Sequence, residues 1–135
     1  MGRNIVAFIA GLAAWVAVGF LSFALMRAVW PEYSAAEPNF AFTLSMQLSR
    51  LLIGVLCSVA AGAVVASVVR RKSLVPWILG VALLVAFIPI HVQLWDKYPL
   101  WYHAFFLSTL LPLIGLGARL VPGSTESRDP SLSPS

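Results

Sequence analysis

Four long apolar runs, each bounded by charged residues or by proline, dominate the chain. The first run, from Ile5 to Met26, contains no charged residue and lies between Arg3 and Arg27. At a rise of about 1.5 Å per residue it would be about 33 Å long as a helix, which is enough to cross the hydrocarbon core of a bilayer. It also exceeds the roughly 7–15 apolar residues of a secretory signal. We therefore interpret it as an uncleaved transmembrane helix.

The complete pattern predicts an all-α fold, a four-helix transmembrane bundle with up-down-up-down order. We expect the helices at about residues 5–27, 42–69, 74–95 and 100–119, within one transmembrane domain at residues 1–121. The connection at residues 28–39 holds Pro31 and Pro38 and predicts a polar loop. Residues 122–135 combine serine, proline and charge with almost no apolar side chains, which is typical of a disordered tail.

Composition agrees with a lipid environment. The chain has 135 residues, of which 60% are hydrophobic and 10% are charged, whereas soluble domains carry about 25% charged residues. The single cysteine, Cys57, excludes an intrachain disulfide and is more typical of a buried thiol than of a reactive one.

The charged residues lie at the ends of the apolar runs and predict an orientation. The ends that carry both termini hold six basic residues, which are Arg3, Arg70, Arg71, Lys72, Arg119 and Arg128. The opposite ends hold three, which are Arg27, Arg50 and Lys97. The positive-inside rule then places both termini in the cytoplasm. Because the net charge of +4 is not gathered on one soluble face, we expect the lipid bilayer and no nucleic acid as a partner.

Small residues recur every four positions along the second predicted helix. They are Gly54, Ser58, Gly62 and Ala66. Such a ladder lets another helix approach closely in lipid, where association depends on van der Waals contact. The contacting helix belongs either to the same protomer or to a partner, which leaves a homo-oligomer or a membrane-protein partner open.

Polar and aromatic side chains are concentrated between Pro89 and His103, where they either line a site or form an interfacial aromatic belt. The residues of a candidate polar pocket are Gln47, Arg50, His91, Gln93, Asp96 and His103. A charge within a membrane helix is costly and needs a partner. We expect Asp96 to pair with Arg50, with Glu32 and Glu37 as further candidates and the lipid headgroups as the alternative.

His91, Asp96 and His103 are the nearest approach to a metal site, because they would converge if the loop folds back. Histidines near an interface more often bond to backbone or water, so we expect no metal and no cofactor. A catalytic set is also missing, since no serine lies in a Gly-x-Ser-x-Gly turn and no phosphate-binding loop is present.

One segment resembles a known group of proteins. Asp-Lys-Tyr-Pro-Leu-Trp-Tyr-His, residues 96–103, precedes a helix that contains Pro112 and ends in Gly-Ala-Arg. This arrangement resembles the last hairpin of small bacterial multi-pass inner-membrane proteins with no assigned activity, and the resemblance implies the bacterial cytoplasmic membrane. The membrane-embedded Glu of small multidrug-resistance transporters and the glycine-rich, Arg-ended motif of small fluoride channels have no counterpart here.

Together these features predict a non-enzymatic membrane protein, namely a structural or partner-binding subunit. The alternative is a small oligomeric transporter or channel with an outward-facing polar pocket, in which Gln47, Arg50 and His91 line a path. An enzyme or redox-accessory subunit that uses the histidines is the third hypothesis, and the absence of a catalytic set argues against it.

Overall fold

The computed structural model describes residues 2–70 and 72–121. The tail that we predict to be disordered, residues 122–135, lies outside the described residues. Within them the chain is helical, with the elements α1 Gly2–Val29, α2 Pro31–Ala36, a 3₁₀ turn Glu37–Asn39, α3 Leu44–Val69, α4 Val75–Gln93 and α5 Leu100–Leu120. Four of these helices, α1, α3, α4 and α5, are long and apolar enough to cross a membrane. This confirms the predicted all-α fold with four helices of spanning length.

The connection between α1 and α3 is helical rather than the predicted loop. Pro31 occupies the first turn of α2, where its missing N–H would be unpaired anyway, and Glu32 lies in the same turn. An acid at this position is favourable because the helix N-terminus carries partial positive charge. The predicted loop is therefore wrong for Pro31–Ala36, since we interpreted a helix-starting proline as a helix-breaking one.

The start of α3 is set by a side-chain cap. The hydroxyl of Thr43 accepts a hydrogen bond from the backbone N–H of Met46 at 3.3 Å, so the helix begins at Leu44 rather than at residue 42. At its other end α3 stops at Arg70, which has a φ of 58°. This left-handed conformation turns the chain toward α4.

The central contact of the bundle is a close crossing of α3 and α5. A Cβ atom added to Gly62 would overlap the backbone carbonyl of Ile114, and one added to Gly117 would overlap the carbonyl of Val59. The two backbones therefore touch, which only glycine at both positions allows. Gly54 faces the ring of Phe106, also on α5. Two members of the small-residue ladder are thus covered by the same chain.

The other members of the ladder have different surroundings. Ser58 is buried, and its hydroxyl accepts a hydrogen bond from the indole of Trp15 on α1 at 3.3 Å. Ala66 is half-buried. α3 packs mainly on α1 and α5 and touches α4 at few residues, although only a short connection joins α3 to α4. The glycine contacts explain this arrangement, because they draw α5 rather than α4 against α3.

The outward faces of the long helices are apolar. Ile9 and Phe20 on α1, Leu52 on α3, Val85 on α4 and Leu116 on α5 are all exposed. A protein in water would not leave this much apolar surface uncovered, so lipid is the medium that these faces fit.

At the end of the bundle where α3 and α5 begin, aromatic side chains form the packing. We call this the aromatic end; it comprises residues 30–43 and 94–99. Tyr33, Phe42, Tyr98 and Tyr102 are stacked in that order, with successive ring centroids 5.3, 5.9 and 4.2 Å apart. This column ties the α1–α3 connection to the α4–α5 connection.

Candidate functional site

A cavity of about 120 Å³ lies beside the aromatic end and is lined by residues of all four long helices and of the α4–α5 connection. We call it the Arg50 cavity. Its polar lining residues are Arg50, His91, Tyr98 and Tyr102, and its aromatic hydrocarbon lining comes from Trp15, Phe23, Phe87 and Phe106. The cavity thus combines one permanent cation with a largely apolar wall.

Arg50 is held by aromatic side chains. Its Nη1 donates a hydrogen bond to the Tyr33 hydroxyl at 2.5 Å. Its guanidinium carbon lies 4.8 Å from the ring centroid of Phe23, 4.9 Å from that of Phe42 and 5.8 Å from that of Tyr98. The negative face of an aromatic ring attracts a cation at such distances, and more strongly where water is excluded.

The carboxylate partner that we expected for Arg50 is wrong. Among the described residues the ion pair that forms is Arg27–Glu37, with Arg27 Nε 2.7 Å from Glu37 Oε1. Asp96 and Glu32 are exposed and make no ion pair with Arg50. The headgroup alternative does not describe its position either, because Arg50 points into the cage and bonds Tyr33. The physical reason is that the aromatic rings and the Tyr33 hydroxyl stabilise the Arg50 cation, whereas pairing with an acid would also require a carboxylate to be desolvated.

Glu37 forms an ion pair with Arg27 rather than with Arg50. The hydrogen bond from Arg27 holds the pKa of the Glu37 carboxyl below its ordinary value. Glu37 therefore stays ionised at neutral pH and remains paired with Arg27. Burial raises the pKa of the Tyr33 hydroxyl, although Arg50 opposes the shift, so this phenol is neutral at the same pH.

Three buried polar atoms at the site have no hydrogen-bond partner in the described part of the chain. They are Arg50 Nε, the Tyr98 hydroxyl and His103 Nε2. Leaving such a group unsatisfied costs about 1–3 kcal/mol, and more when it is charged. Buried polar groups in native proteins are nearly always paired, so each exception needs an explanation such as a bound ligand.

His91 and His103 form a pair behind the cavity. Their Nδ1 atoms are 2.6 Å apart, and both rings are buried. One Nδ1 must donate and the other accept, so at least one of the two imidazoles is neutral in this arrangement. Trp95 stacks on His103 with centroids 5.0 Å apart and fixes the orientation of that ring.

The structure brings together only part of the predicted pocket. Arg50 and His91 line the cavity, and His103 supports His91. Gln47 is half-buried and outside the cavity lining. Gln93 and Asp96 are exposed, because α4 ends at Gln93 and the turn that follows directs both toward the surroundings rather than the cavity.

The candidate metal set is not assembled. No group of three His, Cys, Asp or Glu side chains within residues 2–70 and 72–121 could hold a metal ion. His91 and His103 meet through their Nδ1 atoms, while Asp96 lies exposed on the turn and does not join them. The two histidines are therefore placed as hydrogen-bond partners rather than as ligands.

Sequence reasoning missed the residues that cage Arg50. Tyr33 is fully buried and bonds the guanidinium. Pro31 and Glu32 could have predicted this position, because a proline and an acid in the first turn are typical of the start of a helix. A helix at that point turns Tyr33 back onto the bundle.

The first prediction concerns alkaline pH. Burial raises the pKa of Tyr98 to about 12, although Arg50 opposes the shift. The folded state therefore prefers the neutral phenol, and the associated stability is complete below the unfolded value of about 10 and is lost as pH rises toward 12. We expect the melting temperature of the wild type to fall more steeply above pH 10 than that of Tyr98→Phe. Identical pH profiles for the two proteins would contradict this.

The chemistry available at the site is therefore the binding of an anion. Arg50 and Tyr98 line a small, largely apolar space, each carries one buried polar atom without a partner among the described residues, and the acids nearby are either paired elsewhere or exposed. Comparison with protein-family models, with curated proteins and with solved structures finds no match to this chain.

Proposed function

We propose that the protein is a non-enzymatic, multi-pass protein of the bacterial cytoplasmic membrane that binds a small anionic molecule in the Arg50 cavity. The observation that carries this proposal is a membrane-helix arginine that lines a cavity and has no carboxylate paired to it within residues 2–70 and 72–121. The bound anion is the partner that the guanidinium lacks.

The energetics support an anion rather than a neutral ligand. A charged side chain at the centre of a membrane helix costs about 2.5–3.5 kcal/mol on insertion scales, which is an upper bound for Arg50 because it lies in the second turn of α3. The cage around Arg50 offsets part of that cost, but Tyr33 and Tyr98 are neutral at pH 7 and leave the positive charge uncompensated. Charge-assisted hydrogen bonds from Arg to an anion would compensate it.

The proposed orientation puts both termini in the cytoplasm, because the sequence carries six basic residues next to the predicted inner ends of the apolar runs and three next to the outer ends. The Arg50 cavity, beside the aromatic end, then lies in the outward half of the membrane domain. Bacterial location rests on the resemblance of the 96–103 segment and remains part of the proposal.

The second prediction tests this orientation. Reporter fusions after Lys72 and after Ser135 should both give a cytoplasmic signal, because both sites lie at the basic ends of the helices. A fusion after Lys97 is the matched control and should give a periplasmic signal. A periplasmic signal from either of the first two fusions would overturn the orientation.

The structural or partner-binding role that we predicted from the ladder has less support than ligand binding. Gly54 and Gly62 are covered by α5 of the same chain, so they are not free to dock a further helix. Transport of the bound anion is the second candidate. Pro89, within α4, removes one backbone hydrogen bond next to the lining residues Ile90 and His91, which makes this wall of the cavity a natural bending point.

The third prediction tests binding by filling the cavity. Gly19 lines it, and a Cβ at this position would lie 3.3 Å from Cys57 Sγ, so Gly19→Leu should occupy the space without displacing backbone. The matched control is Ala17→Leu on the exposed side of the same helix. Melting temperatures are measured in acetate, phosphate and benzoate against chloride at equal ionic strength.

We expect at least one of these anions to raise the melting temperature of the wild type and of Ala17→Leu but not that of Gly19→Leu. A ligand at about 100 times its dissociation constant stabilises the folded state by about 2.7 kcal/mol, which is readily measured. No stabilisation by any of the anions, or equal stabilisation of all three proteins, would overturn the proposed function.

A further inference from the structure

We propose that the ligand is a small aromatic monocarboxylate, with its ring among Trp15, Phe87 and Phe106 and its carboxylate on Arg50. This inference rests on the proposed function and names the ligand class for the same cavity. The three observations that carry it are the cavity volume, the arrangement of the aromatic wall and the balance of charge.

The volume limits the ligand to about one ring and a small polar group. The Arg50 cavity measures about 120 Å³, whereas an engineered protein cavity of about 150 Å³ takes up benzene. Sugars with several phosphates, nucleotides and peptides are too large for this space as it stands. A single aromatic ring with one carboxylate is larger than benzene and is therefore the upper size limit, which this cavity accepts only when side chains of the wall move apart.

The wall is suited to an aromatic ring in particular. Trp15 and Phe87 have centroids 4.9 Å apart and planes inclined by 52°, and Phe87 and Phe106 have centroids 5.1 Å apart and planes inclined by 61°. All three residues line the cavity. Offset and edge-to-face contacts are the arrangements that aromatic pairs prefer, so a ligand ring gains more here than an aliphatic chain of equal area.

The polar part of the wall fits a single negative charge. Arg50 supplies one permanent cation, and no acid among the described residues pairs with it. A carboxylate matches the fork of a guanidinium in a bidentate contact. Tyr98, whose hydroxyl is buried without a partner in the described part of the chain, supplies a neutral donor beside it. A phosphate dianion would bring a second charge that this wall leaves uncompensated.

The experiment measures dissociation constants by calorimetry, with the full chain in nanodiscs of zwitterionic lipid. The probes are benzoate, acetate, phosphate, octanoate and benzamide. Benzoate should bind at least tenfold tighter than acetate and phosphate, because it alone fills both parts of the cavity. Benzamide should bind at least tenfold more weakly than benzoate, because it has the ring without the charge. Octanoate, which represents a lipid-derived carboxylate, should also bind more weakly.

A variant tests the role of Tyr98 in the same measurement. Tyr98→Phe should weaken benzoate binding about fivefold or more without lowering the melting temperature of the unliganded protein, because its hydroxyl has no described partner to lose. Ala17→Leu, on the exposed side of α1, should bind benzoate as the wild type does.

Each other outcome is decisive. Equal or tighter binding of acetate, phosphate or octanoate would overturn the aromatic ligand class and leave the proposed anion-binding function standing. Tight binding of benzamide would show that the ring binds without the cation and would also overturn the class. No measurable binding of any of the four anions would overturn the proposed function itself.

Discussion

Gly62→Leu is expected to prevent stable assembly of the helix bundle. The added side chain would have to occupy the space of the Ile114 carbonyl, which is backbone and cannot rotate away. Overpacking of a core usually costs about 1–3 kcal/mol, and occasionally more, when side chains can adjust. Here α3 and α5 must separate, so we expect a loss at or above the upper end of that range. The measurement is thermal unfolding in detergent together with the yield of monodisperse protein.

Ser67→Leu is the control for this experiment. Ser67 is exposed on the same helix, and its hydroxyl donates only to the Ala63 carbonyl of its own helix. The variant introduces the same leucine into lipid and should unfold near the wild-type temperature. If Gly62→Leu and Ser67→Leu have the same melting temperature, the close crossing of α3 and α5 is not what holds the bundle together.

Arg50→Met is expected to abolish ligand binding while leaving the fold intact. Two charge-assisted hydrogen bonds, each worth about 1.5–3 kcal/mol, would be lost, which corresponds to at least about a hundredfold in affinity. The stability of the unliganded protein should change little, because removal of the charge of the half-buried Arg50 offsets the loss of its hydrogen bond to Tyr33 and of its contacts with the aromatic rings. Calorimetric titration with benzoate and thermal unfolding measure the two effects separately.

Arg50→Lys tests whether binding depends on the positive charge alone or also on the shape of the guanidinium. Lysine keeps the charge but lacks the planar fork, so it should retain weak binding, between that of the wild type and that of Arg50→Met. A large fall in the melting temperature of Arg50→Met would contradict this account, because it would mean that Arg50 holds the cage together rather than waiting for a ligand.

The helical fold followed from the sequence because hydropathy depends on each residue and its near neighbours. The apolar runs and their charged boundaries were enough to predict four helices of spanning length. The start of α3 shifted because the hydroxyl of Thr43 caps the helix. Such a cap depends on one side-chain torsion and does not change the apolar pattern.

The site was predictable only in part. The return of the chain after α4 made the meeting of His91 and His103 plausible, since they are separated by 12 positions across one turn. The partner of Arg50 was not predictable in the same way. We considered carboxylates, whereas the structure uses Tyr33 and the rings of Phe23 and Phe42. This choice depends on the fold of α2, which brings Tyr33 beneath the start of α3 and which we had interpreted as a loop.

The most direct test of the central claim is the NMR signal of the Arg50 Nε–H group in arginine-labelled protein. Arg50→Lys assigns the signal by its disappearance. Because Arg50 Nε is buried without a hydrogen-bond partner in the described part of the chain, its proton should move strongly downfield as benzoate is added and reach a plateau. The Arg27 signal, already bonded to Glu37, should stay in place. An Arg50 signal that does not move, or that moves no more than that of Arg27, would contradict anion binding in this cavity.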